Sequence, residues 1–75
     1  MDRLAAMQTF VRVAEAGSFT AVADQLGVAR SAITRQIAAL EGHLGVKLIA
    51  RSTRRLSLTS AGMAYLEECR EIPDS

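Results

Sequence analysis

A glycine at position 27, with helical apolar spacing on either side, constrains this chain more than any other feature. Upstream, Val22, Ala23 and Leu26 recur as the turns of an α-helix repeat. Downstream, Ile33, Ile37, Leu40 and Leu44 step by four, three and four residues and so share one stripe of a second helix. Gly27 falls where the first helix needs a residue at positive φ, and Val28 is expected to plug the corner. Two helices joined by so short a turn cross steeply, and small Ala23 lets them approach. Residues 18–44 are therefore expected to form a helix-turn-helix.

The second helix has a distinct outward face. At about 100° per residue, Arg30, Ser31, Thr34, Arg35 and Ala38 centre roughly 120° from the apolar stripe. A small, polar, cationic face suits insertion into a DNA groove. Arginine presents a planar fork matching the O6 and N7 acceptors of guanine, hydroxyls reach bases or phosphates, and alanine admits close approach of the backbone. The helical pattern alone is equally compatible with the solvated face of a protein–protein interaction module.

Charge separates these readings. The net charge of +1 conceals −1 over residues 1–28, +5 over residues 29–59 and −3 over residues 60–75. The middle is basic because Arg30, Arg35, Lys47, Arg51, Arg54 and Arg55 face Glu41 alone. Such a segment between acidic flanks indicates a phosphate-facing surface. Catalysis is not expected: His43 has no evident nucleophile partner, the carboxylates are scattered, and there is no Gly-rich phosphate loop. One Cys and one His build neither a disulfide nor a metal site, so no metal or cofactor is expected, and Cys69 reads as a small buried hydrophobe. With no apolar run long enough to span a bilayer and no signal-peptide pattern after Met1, a cytoplasmic location is the expectation.

The remaining segments frame this unit. A first helix is expected from Asp2 to Ala16, with Leu4, Met7, Val11 and Ala14 on its inner face, Phe10 beside them and Gly17 closing it. Ser18 reads as the N-cap of the next helix, at an end whose N–H groups also suit a phosphate oxygen. After Gly45 the pattern becomes extended: Lys47–Arg51 and Arg55–Leu58 read as two strands joined through Ser52, Thr53 and Arg54, with Leu48, Leu56 and Leu58 facing inward. This hairpin carries Arg51, Arg54 and Arg55, a wing able to reach along a groove. Thr59 then caps a last helix, Ser60 to Ile72, ended by Pro73. Its stripe of Ala61, Tyr65, Cys69 and Ile72 is widened by Met63 and Leu66. That surface suits either a second chain, through Met63, Tyr65, Leu66, Cys69 and Ile72, or the first helix of the same chain.

Together these blocks resemble the N-terminal domain of the LysR-type transcriptional regulators along nearly the whole chain. The resemblance rests on Leu4, Phe10 and Val13, on GSFTAVADQLGVARSAITRQIAALE from Gly17 to Glu41, on LGVKL from Leu44 to Leu48, and on LTSAG from Leu58 to Gly62. It implies a mainly α winged helix-turn-helix over residues 1–58, a linker and dimerisation helix beginning in residues 59–75, and an effector domain elsewhere that receives the small-molecule signal. It also implies a homodimer on double-stranded DNA with an inverted-repeat operator. Arg30, Ser31, Thr34 and Arg35 would lie in or beside the major groove, Arg51, Arg54 and Arg55 would serve the wing, and Ser18 and Thr20 complete the expected DNA-binding set. The chain departs from the family pattern at Ala29 (often Ser), Arg30 (often Gln), Ser31 (often Pro), Ile49 (usually Phe) and Thr53 (often Gly). Pro73 interrupts a helix that usually continues. With Ala29 unable to cap, Ser31 is the candidate replacement.

Overall fold

The computed structural model describes residues 2–51 and 56–71. Its elements run α1 (Arg3–Ala16), α2 (Phe19–Leu26), α3 (Arg30–Leu44), β1 (Ile49–Arg51), β2 (Leu56–Leu58) and α4 (Ser60–Glu71). The architecture is a winged helix-turn-helix: three helices enclose the core, an antiparallel hairpin pairs Ile49 with Leu58 and Arg51 with Leu56, and α4 returns to pack on α1. Among the described residues, no helix is long and apolar enough to cross a membrane.

Each helix of the core ends as its glycine dictates. Gly17, Gly27 and Gly45 all adopt the left-handed conformation, at φ of 70°, 69° and 73°. At the central turn the Gly27 N–H donates to the Asp24 carbonyl and the Val28 N–H to that of Ala23, a Schellman closure that satisfies the last turn of α2. Val28 thus acts through its backbone. Its side chain does not plug the corner as expected but is 45% exposed, and Leu26 likewise faces out. The Schellman turn points both away from the core.

The core is built from Ala6, Phe10 and Val13 of α1, Phe19, Val22 and Ala23 of α2, Ile33, Ile37 and Leu40 of α3, and Leu48 and Ile49 at the root of the hairpin. Large side chains such as Phe10 and Leu40, fully buried, each contribute about 1.5–3 kcal/mol through removal of apolar surface from water. The inner face of α1 differs from the expectation. Ala6, Phe10 and Val13, with Thr9, are buried; Met7 only packs against the core edge, Val11 and Ala14 are half-buried, and Leu4 is 61% exposed. Both stripes have helical spacing, and the one carrying the bulky Phe10 wins the interior. Helix α1 also begins one residue later than expected, because Asp2 is its N-cap, accepting from the Ala5 N–H at 3.2 Å.

The hairpin is shorter at its first strand than the expected Lys47–Arg51. Lys47 and Leu48 are instead engaged at the root. The Thr59 hydroxyl donates to the Lys47 carbonyl and accepts from the Gly62 N–H at 2.9 Å, while the Thr59 N–H donates to the Leu48 carbonyl at 3.0 Å. Thr59 therefore caps α4 as expected and also ties it to the hairpin. Leu48 is buried, and Leu56 and Leu58 pack against the core edge, as anticipated. The connection Ser52, Thr53, Arg54 and the residues Arg55, Ile72 and Pro73 lie outside the described residues.

Tyr65 and Leu66 of α4 pack on the chain's own core, the Tyr65 ring 5.6 Å from that of Phe10 at an interplanar angle of 50°. Cys69 is half-buried rather than fully buried, and desolvation by that burial raises its thiol pKa. An exposed Arg70–Glu15 ion pair at 3.0 Å joins the far ends of α4 and α1.

Candidate nucleic-acid interface

Burial of Ile33, Ile37 and Leu40 fixes the rotation of α3, and the opposite face follows from it. Arg30, Ser31, Thr34, Arg35 and Ala38 together line one open concavity of about 490 Å³. These are the five residues that the helical spacing puts on one outward face. Arg30, Ser31, Arg35 and Ala38 are exposed and Thr34 is half-buried. Among the described residues, neither Arg30 nor Arg35 has an ion-pair partner, so both guanidinium groups face solvent uncompensated.

Ser31 does not cap α3. The N-cap position belongs to Ala29, no side chain bonds to the first turn, and only a backbone contact from Ala32 N–H to the Ala29 carbonyl at 3.0 Å closes it. Ser31 lies inside the first turn, too far along the helix to accept from the N–H groups that precede it. Its hydroxyl is left for the outer face. Ser18 does cap α2, accepting from the Ala21 N–H at 3.1 Å, and Thr20, next to buried Phe19, is exposed. Both stand at the start of α2, outside the concavity that α3 lines.

A second, smaller concavity of about 300 Å³ is lined by Ala38, Glu41, Gly42, Gly45, Val46 and Lys47. The two share Ala38, so one shallow surface runs from Arg30 along α3 to Lys47 at the approach to the hairpin. In the sequence Lys47 stands in the basic segment and at the start of the expected first strand, and the basic segment is the signal for its place on this surface. Arg51 sits at the end of β1 opposite Leu56. Arg54 and Arg55 lie outside the described residues.

The sequence offers Glu41 only as a charge and as the last residue of the Gly17–Glu41 block. Its Oε2 accepts from the Leu48 N–H at 2.8 Å and the Ile49 N–H at 3.2 Å, joining the last turns of α3 to the start of the wing. A partner seven and eight residues away follows no helical or strand period, so pattern analysis gives no signal for it.

The chain matches the family model described as bacterial regulatory helix-turn-helix protein, lysR family, over residues 4–63. It is 51% identical over 72 residues to an HTH-type transcriptional repressor of Pseudomonas aeruginosa, covering 96% of this chain and 23% of that protein. It is 47% identical, with the same coverage, to the HTH-type transcriptional activator AaeR of Escherichia coli. The chain therefore spans about a quarter of the length of these curated relatives. Among solved structures, the CbnR DNA-binding domain in complex with DNA aligns with a TM-score of 0.86 at 47% identity, covering 96% of this chain and 82% of that one. The BenM DNA-binding domain with benA site 1 DNA aligns with a TM-score of 0.87 at 33% identity, covering 96% and 80%. The rotation of α3, the hairpin beside it and these matches lead to one conclusion: the chain belongs to the lysR family of bacterial regulatory helix-turn-helix proteins.

Proposed function

We propose that this chain is a sequence-specific, double-stranded-DNA-binding domain of a transcriptional regulator, with α3 in the major groove and the hairpin at the adjoining minor groove. The observation that carries this reading is the outer face of α3, where Arg30 and Arg35 stand exposed beside Ser31, Thr34 and Ala38. Uncompensated cations on a helix with little side-chain bulk allow guanine and phosphate contacts that a crowded or ion-paired face would not. The similarity to domains solved with DNA supports the same reading. In it Ser18 and Thr20 approach phosphates, Arg30, Ser31, Thr34 and Arg35 serve the major groove, and Arg51, Arg54 and Arg55 serve the wing.

Residues 1–58 form the DNA-binding unit and residues 59–75 begin a linker helix. Two copies pair through Met63, Tyr65, Leu66, Cys69 and Ile72, which fits an inverted-repeat operator whose half-sites follow the two-fold axis. Any small-molecule effector is received by a domain other than this one, and the protein acts in the cytoplasm. The test is titration of labelled duplex over a range of salt concentrations. Each phosphate contact contributes about −0.9 to the log–log slope, so several units are expected. A flat dependence overturns the reading.

A further inference from the structure

The connector between α3 and the hairpin is organised by one residue. The Glu41 carbonyl accepts from the Gly45 N–H at 2.8 Å and the Val46 N–H at 3.3 Å, and its carboxylate accepts from Leu48 and Ile49. Residues 45–49 thus direct four of their backbone N–H groups at Glu41. The two carbonyl bonds are what any helix ending in a left-handed glycine makes. The carboxylate bonds are additional, and they are charge-assisted, in a half-buried position. Leu48 is meanwhile held on its other sides, with its side chain in the core, its carbonyl on the Thr59 N–H and the Gly62 backbone pressed against it. With Leu48 fixed to the core and to α4, the carboxylate ties the hairpin root to α3, the helix that carries Arg30 and Arg35. Glu41 is also the acid placed alone in the most basic stretch of the chain, and it spends its charge on amides rather than on an arginine.

We propose that Glu41 is a positioning residue that sets the angle between α3 and the hairpin, and so determines which base pairs flanking the helix-read positions the hairpin senses. The inference rests on the DNA-binding reading above. The carboxylate suits this role because it accepts from two successive N–H groups without presenting a donor. Glu41→Gln keeps one acceptor oxygen but loses the charge; Glu41→Ala removes both bonds.

Two measurements on the 75-residue chain test it. In amide hydrogen exchange, Glu41→Ala is expected to speed exchange at Leu48 and Ile49 on the order of tenfold, while the Ile37 and Leu40 amides keep their protection, and Glu41→Gln falls between. Selection of bound sites from random duplexes is expected to show flattened preference at the flanks with the central positions retained. Unchanged exchange at Leu48 and Ile49 overturns the clamp whatever happens on DNA. A uniform loss of preference at every position, tracking loss of fold, overturns the positioning role, and Glu41→Gln gives the same comparison if the alanine variant does not fold. If the unmodified chain selects no sites, the DNA-binding reading falls and the flank effect with it, while the exchange result still decides the clamp.

Discussion

Arg30 opens α3 with its guanidinium in solvent, and Arg35 follows five residues later, lining the same concavity. A bidentate guanine contact discriminates base pairs, so Arg30→Ala is expected to cost roughly 1–3 kcal/mol of binding and to relax preference at one position per half-site. A wing arginine answers chiefly to minor-groove width, so Arg54→Ala is expected to weaken A·T-rich flanks and leave the centre intact. Binding-site profiles of the two variants decide this, and loss at the same positions would refute the division. Gly62 is constrained for a different reason. Its φ is ordinary, but a methyl group there would overlap the Leu48 carbonyl oxygen, which belongs to the backbone and is already bonded to Thr59. Gly62→Ala is expected to destabilise by about 1–3 kcal/mol, the usual range for overpacking, measurable by urea denaturation.

At the scale of elements, α4 divides its apolar residues between two tasks. Tyr65 and Leu66 pack on the chain's own core, whereas Met63 is 60% exposed. Met63→Asp is therefore the clean probe of pairing: it is expected to shift sedimentation toward monomer with little loss of melting temperature. Leu66→Asp would lower both and separate nothing. The helix-turn-helix was legible in the sequence because its determinants are local: Gly27 needs positive φ, and the stripe Ile33, Ile37, Leu40 has one period. The inner face of α1 was not, since Leu4, Met7, Val11 and Ala6, Phe10, Val13 share that period and only packing against α2, α3 and α4 selects between them. The outer face of α3 emerged intact, as the complement of a well-defined stripe. Glu41 stayed hidden because its partners lie across a connector whose path the pattern does not specify.

Across the whole molecule, the charge of the chain is sorted: the basic stretch supplies α3 and the hairpin, and the acidic residues Glu67, Glu68 and Glu71 lie in α4, which packs on α1. That arrangement keeps the carboxylates of α4 off the surface bearing Arg30 and Arg35, and it concentrates the salt dependence of binding in one face. The packing of α4 on α1 also orders events in time. Phe10 and Tyr65 close a loop of more than fifty residues, whereas α1, α2 and α3 meet through turns of a few residues. Closing the longer loop costs more chain entropy, so that contact is expected to form after the folding transition state. Tyr65→Ala should then leave the folding arm of a chevron nearly unmoved and raise the unfolding rate by almost the full loss of stability. A matching fall in the folding rate would place the docking of α4 in the nucleus instead. Helix α1, synthesised before α2 and α3, would thus complete its packing only once α4 has been made and has docked.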